Sequence, residues 1–168
     1  GGSSEVPDSD KPYDMAAVAK DPVTTLERDA LMVLLQHPDK VPEDRAQSVL
    51  ATQFSHGALA LVRDAMVSAF EHYSSAQWVT KVTEETPVAL ATLVGQLAVA
   101  PLPETRDQAE RYGLGVTATL LDRELLRKKA DLLSTLQRSD VAADPEGYRR
   151  LQESLVAIEN ERRSFREE

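Results

Sequence analysis

Apolar residues recur every three or four positions along most of the chain, which is the spacing expected of amphipathic α-helices. The first such stretch begins at Thr24, where Thr24 and Glu27 match a capping box, and it ends before Pro38. Four further stretches begin near residues that favour turns or helix starts, namely Pro42, Ser55, Ser75 and Thr86. Short polar connections separate these stretches. The pattern predicts a compact bundle of five to six helices over residues 22–115.

The rest of the chain predicts two longer helices that pack against each other. Residues 104–138 contain no proline and carry a stripe of leucines, so we expect one long connecting helix, in which Gly113 and Gly115 permit a kink or hinge. Asp144 and Pro145 then suit the start of a last helix. Its long side chains recur at spacings of three and four, the seam of helices packed lengthwise: Tyr148, Leu151, Leu155, Ile158, Arg162 and Phe165. The pattern predicts a C-terminal antiparallel helical hairpin over residues 116–168.

The first 21 residues differ from the rest of the chain. They begin Gly-Gly-Ser-Ser and are polar and interrupted by proline, a composition typical of a flexible linker. Asp8 and Asp10 could offer two carboxylates to a metal, but no further ligand lies near them in the sequence, which favours solvated charges. We therefore expect residues 1–21 to form a flexible tail.

Composition and charge narrow the class of protein. Seven glycines in 168 residues and 5% aromatic residues favour an all-α fold. The net charge of −9 argues against binding to a nucleic-acid backbone as the main activity, and residues 122–168 are nearly balanced, with ten basic and eleven acidic side chains. The absence of cysteine excludes thiolate zinc sites and cysteine nucleophiles and agrees with a cytoplasmic protein. No signal peptide or membrane-spanning segment is apparent. Because the negative charge disfavours nucleic acid, proteins are the expected partners.

No pattern of catalytic or cofactor-binding residues is apparent. His37, His56 and His72 lack the spacing of metal ligands, and no nucleophile elbow or phosphate-binding loop is present. The basic pairs at 128–129 and 162–163 have acidic residues within one helical turn, which favours surface ion pairs over anion binding. We expect an interaction module with no catalytic residues, no metal and no cofactor.

Several segments together resemble the C-terminal, helicase-binding domain of bacterial DNA primase (DnaG). They are the helix LERDALMVLLQHP at residues 26–38, the Phe-Ser-His segment at 54–56 that leads to VRDA at 62–65, and the terminal pattern LxxxLxxIExxRR at residues 151–163. The resemblance extends from about Thr25 to Arg166. It implies a helical bundle followed by a hairpin that binds the hexameric replicative helicase and recruits primase to the replication fork for primer synthesis. In that family the zinc-binding and polymerase parts lie elsewhere, so this segment would be non-catalytic.

The resemblance also suggests binding residues. We expect the terminal helix to contact the helicase through eight residues: Arg149, Gln152, Leu155, Val156, Glu159, Arg163, Phe165 and Arg166. A second partner implied by the family is the single-stranded DNA-binding protein, whose acidic tail could contact Thr25 and Arg28. The segment itself would be mainly monomeric.

Two other classes of function are open at this point. A helicase N-terminal collar domain, which is a self-assembling structural module, would form trimers or rings on its own, and light scattering at two concentrations would reveal them. A small helical nucleic-acid binder would show DNA binding that falls steeply with salt.

Overall fold

A computed structural model describes residues 13–103 and 106–168, and the aspartates of the predicted tail, Asp8 and Asp10, lie outside these residues. The described part is helical and contains no strand, which confirms the predicted all-α fold. Short 3-10 turns accompany seven α-helices: α1 (Pro22–Gln36), α2 (Glu43–Leu50), α3 (Gly57–Ser68), α4 (Trp78–Glu85), α5 (Ala91–Leu97), α6 (Ala109–Gln137) and α7 (Pro145–Arg166). The chain divides into two compact units between Thr117 and Ala118.

Helix α1 is the centre of the first unit, since five consecutive apolar residues from Leu31 to Leu35 are all at most 3% exposed. The helix begins at Pro22, two residues before the predicted start. Asp21 caps it by accepting a hydrogen bond from the Thr24 amide over 3.0 Å. The predicted capping box is therefore wrong. Glu27 does not reach back to its own helix start but is fully buried in the bundle.

The buried carboxylate of Glu27 holds the start of α3. Its two oxygens accept hydrogen bonds from the backbone amides of Ser55, over 2.8 Å, and His56, over 3.0 Å. The cap of α3 is His56, whose Nδ1 accepts from the Leu59 amide, so the helix begins close to Ser55 as predicted but is capped by the next residue. A contact between two helices was therefore mistaken for a local capping pattern.

Three aromatic side chains, Phe70, Tyr73 and Trp78, pack together in the bundle. Trp78 is 2% exposed and donates its indole N–H to the Leu34 carbonyl over 2.9 Å. The ring of Tyr73 stacks on Phe70 and meets Trp78 edge-on, at centroid distances of 4.9 and 5.3 Å. Tryptophan occurs once in the sequence. Its fluorescence therefore reports on the packing of this unit.

The described end of the predicted tail is folded onto the bundle. The Tyr13 amide donates to the Ala89 carbonyl over 3.1 Å, and the Met15 amide donates to the side chain of Gln96 over 2.7 Å. Val18 is 3% exposed. Residues 13–20 therefore belong to the first unit and not to a flexible linker.

Helix α6 continues through both glycines as one helix. An added Cβ at Gly113 would lie 3.1 Å from a methyl group of Val33 and 3.3 Å from one of Val41, so this glycine allows α6 to approach the bundle closely. Arg45 fixes the same turn of α6 by donating to the Leu114 carbonyl and the Thr117 hydroxyl, each over 2.9 Å. Within the described residues, none of the helices is both long and apolar enough to cross a membrane.

Candidate functional site

The second unit is an antiparallel hairpin made by α6 from Ala118 onward and by α7. Arg162 donates to Asp122 over 2.8 Å, and the ammonium of Lys129 lies 2.6 Å from a carboxylate oxygen of Glu159. The partner's number on α7 falls as the number on α6 rises, so the two helices run in opposite directions. The predicted hairpin is confirmed.

The predicted spacing on α7 describes the interior seam of this hairpin. Ile158 is 8% exposed, and the other members of the series are at least partly buried. Arg162 lies in this seam because its guanidinium pairs with Asp122 and also contacts Glu159 over 3.2 Å. These pairs raise the pKa of Arg162, chiefly through the hydrogen bond to Asp122. Lys129, and after it Arg162, lowers the pKa of Glu159.

The structure separates the eight predicted helicase contacts into two groups. Leu155 and Phe165 pack in the seam of the hairpin, and Glu159, whose side chain is 40% exposed, is held in ion pairs with Lys129 and Arg162. The other five are exposed to solvent on α7: Arg149, Gln152, Val156, Arg163 and Arg166. The predicted contacts therefore do not share one outer surface, and the exposed five are the ones that can meet a partner while the hairpin stays closed.

A shallow depression on α7 brings some of the exposed residues together. It has a volume of about 420 Å³ and six lining residues: Arg149, Gln152, Glu153, Val156, Ala157 and Asn160. Val156 is its main exposed apolar side chain, at 61% exposure. Arg149 is held at the rim by Glu146, over 2.7 Å, and Glu153, over 3.6 Å.

Two exposed leucines on α6 are not among the predicted contacts. Leu126 is 44% exposed and Leu133 is 40% exposed. The sequence placed both in a leucine stripe facing the partner helix, but adjacent residues on a helix point about 100° apart. In each of the doublets Leu125-Leu126 and Leu132-Leu133, the two leucines cannot both face the partner helix. The doublets are therefore the signal in the sequence that could have identified the outward leucines.

The residues predicted to bind an acidic tail lie one turn apart on α1. Thr25 and Arg28 are both partly buried. The guanidinium of Arg28 donates twice to the carboxylate of Asp29, over 3.1 and 3.0 Å, and its side chain is 25% exposed. An acidic ligand would have to compete with Asp29 for this arginine.

The histidines serve as structural groups at the ends of helices. His37 ends α1, His56 caps α3 and His72 lies in a 3-10 turn beside Glu71. Across residues 13–103 and 106–168, no three His, Cys, Asp or Glu side chains are grouped in a way that could hold a metal ion.

Comparison with known proteins gives one consistent family. Residues 27–151 match the family model described as DNA primase DnaG DnaB-binding. The chain is 31% identical over 153 residues to the DNA primases of Mycobacterium leprae (strain TN) and of Mycobacterium tuberculosis (strain ATCC 25618 / H37Rv), covering 89% of this chain and 24% of each relative. The chain therefore spans about a quarter of the length of these relatives.

A solved structure resembles the fold. It is described as the helicase binding domain of primase from Mycobacterium tuberculosis, and it superposes with a TM-score of 0.72 at 31% identity. The superposition covers 85% of this chain and 91% of that chain. The family model ends at residue 151, near the beginning of α7, so the contact residues further along α7 depend on the hairpin geometry alone.

Proposed function

This chain belongs to the DNA primase DnaG DnaB-binding family, and from that premise we propose that it binds the hexameric replicative helicase DnaB and recruits primase to the replication fork for primer synthesis. The observation that carries the proposal is the separate two-helix unit. A pair of helices buries only the stripe between them, which leaves most of the surface of α6 and α7 open to a partner. On this proposal, the chain supplies binding and the rest of the primase supplies chemistry.

The hairpin suits a contact of modest strength that is repeated around a ring. A few exposed apolar and arginine side chains, such as Val156 and Arg163, would carry most of the energy of each contact. A hexamer that binds several primases would raise the effective concentration of each at the fork. Recruitment would then need no single tight interface.

The test compares the full chain with a version that ends at Ser139, in binding to purified DnaB hexamer by calorimetry. We expect the truncation to abolish binding, since it removes all of α7. The fluorescence of Trp78, which is buried in the first unit, shows whether the bundle stays folded in the truncated chain. Unchanged affinity after truncation would refute the assignment of helicase binding to the hairpin.

We propose a second partner for the bundle, the acidic C-terminal tail of the single-stranded DNA-binding protein, at Thr25 and Arg28. The support is the position of Arg28, which is partly exposed and, among the residues that the structure describes, is paired with one acid, Asp29. Arg28→Glu should abolish binding of a tail peptide, and Asp29→Asn should strengthen it by removing the competitor. Lys81→Glu is the charge-matched control. An Arg28→Glu variant with normal affinity would exclude this site.

We also propose that the segment is mainly monomeric and binds nucleic acid weakly. Most of the excess acidic charge lies outside the hairpin, in residues 1–121. Light scattering at two concentrations should give the monomer mass of 18.5 kDa at both. A mass that grows to that of a trimer or ring would instead support a collar-like structural module.

A further inference from the structure

The exposed apolar side chains of α6 and α7 are distributed unevenly around the hairpin. Leu126 and Leu133 follow directly after inward-facing Leu125 and Leu132, and Val156 follows directly after inward-facing Leu155. In two antiparallel right-handed helices, the residue after an inward position turns to the same side of the pair on both helices. All three exposed apolar side chains therefore lie on one side. We call it the leucine face, defined by Leu126, Leu133, Val156, Gln152 and Arg163.

An ion pair shows independently that the two helices share this side. Lys129 and Glu159 each lie four positions after an inward leucine, Leu125 and Leu155, which places both slightly toward the leucine face. Their charged atoms meet at 2.6 Å. In sequence, Lys129 lies midway between Leu126 and Leu133, so the exposed leucines flank a charge pair that is already neutralised.

The residues that precede the same three inward leucines have the opposite character. Glu124, Asp131 and Ser154 come directly before Leu125, Leu132 and Leu155. Arg127 joins two of them, with ion pairs to Glu124 and to Asp131 on the surface of α6. Beside these three leucines, one side of the hairpin is thus polar, with Glu124 and Asp131 paired to Arg127, and the other side is apolar.

We propose that the leucine face, built from both helices, is the surface that meets the helicase, and that the helicase presents an apolar helical surface with an acidic group beside it. This inference rests on the proposed function. The acidic group follows from charge complementarity, because Arg163 at the end of the leucine face pairs with no acid among the described residues. Exposed apolar groups surrounded by charges are the usual composition of an interface centre and rim.

The test uses two matched pairs of variants in the full chain, with binding to purified DnaB hexamer as the readout. Leu133→Glu lies on the leucine face, and Thr135→Glu lies two residues away on the polar side of the same helix. Val156→Glu and Ser154→Glu form the same contrast on α7. We expect each leucine-face variant to weaken binding about tenfold or more, and each polar-side variant to change it less than about twofold.

A charge swap tests the partner's chemistry. Arg163→Glu should weaken binding as strongly as the apolar variants, because it opposes an acidic group with another. Helical content is measured by circular dichroism for every variant. If Leu133→Glu opens the hairpin, Leu133→Gln keeps the test valid, with an expected loss of about threefold or more.

The outcomes distinguish this inference from the proposed function. Absence of binding by the unaltered chain would overturn both. Normal binding by the unaltered chain, with equal loss in the two members of each pair, would overturn the leucine face alone. A loss confined to the α7 pair would also overturn it, because the proposal requires α6 to contribute.

Discussion

Removing the buried carboxylate of Glu27 should destabilise the bundle more than the loss of a residue that only caps its own helix would. The side chain is fully buried and accepts hydrogen bonds from the amides of Ser55 and His56. Glu27→Ala would leave both amides, at the start of α3, without this acceptor. It would also leave a cavity inside the bundle.

The magnitude follows from the number and kind of these bonds. A hydrogen bond to a charged group contributes about 1.5–3 kcal/mol, and two are lost. Water that enters beside partly exposed Ser55 and His56 replaces part of the loss. We therefore expect Glu27→Ala to lower the free energy of unfolding by about 3–5 kcal/mol. Glu27→Gln keeps one carbonyl acceptor, and its loss should be about half as large.

Urea denaturation followed by Trp78 fluorescence measures the change in the free energy of unfolding, because Trp78 and Glu27 lie in the same unit. Glu71→Ala is the control, since that carboxylate is 81% exposed and its removal should change the free energy of unfolding by less than about 0.5 kcal/mol. We expect the free energy of unfolding to be lowest for Glu27→Ala, intermediate for Glu27→Gln and highest for the unaltered chain. A loss under about 1 kcal/mol for Glu27→Ala would show that the two bonds do not hold the start of α3.

Two further predictions concern α6 and the hairpin. Gly115→Ala should raise the free energy of unfolding by about 0.5–1 kcal/mol, since its Cβ would meet no atom within 4 Å, whereas Gly113→Ala should lower it relative to Gly115→Ala by about 1–3 kcal/mol through contact with Val33. Urea denaturation of both variants checks this, and equal effects would contradict it. Lys129 lowers the pKa of Glu159 below its ordinary value of 4.5. The ion pair should therefore stabilise the hairpin fully above pH 4.5, and this stabilisation should be lost as the pH falls through the lowered pKa of Glu159 in the folded chain. Circular dichroism of the acid transition checks it, and a Glu159→Gln variant with an identical transition would contradict it.

The helices were predictable because their signal is local. The spacing of apolar residues and the positions of Pro38 and Pro42 fix where α1 ends and α2 begins, and both depend on neighbours in the sequence. The capping residues were less predictable. Thr24 and Glu27 have the spacing of a capping box, but a carboxylate that can bind two amides of another segment is more strongly satisfied there.

The seam of α7 was predictable for the same reason, but the place of Arg162 in it was not. A spacing of three and four puts the arginine inward, where a lone charge would be costly to bury. Its partner Asp122 lies 40 residues earlier, on the other helix. The sequence pattern gives the direction of a side chain, whereas the compatibility of a charge with that direction depends on what faces it.

The choice of leucine at each doublet on α6 shows the same limit at the proposed binding surface. From spacing alone, either Leu125 or Leu126 could face α7, and a rotation of α6 by one residue would exchange them. That rotation would also carry Lys129 away from Glu159, breaking the 2.6 Å contact, and would expose Leu125 in place of Leu126. The ion pair therefore favours one rotation of α6, and this rotation determines which leucines reach solvent. Binding of a partner to the leucine face would therefore depend on the Lys129–Glu159 ion pair, even if the partner does not contact that pair.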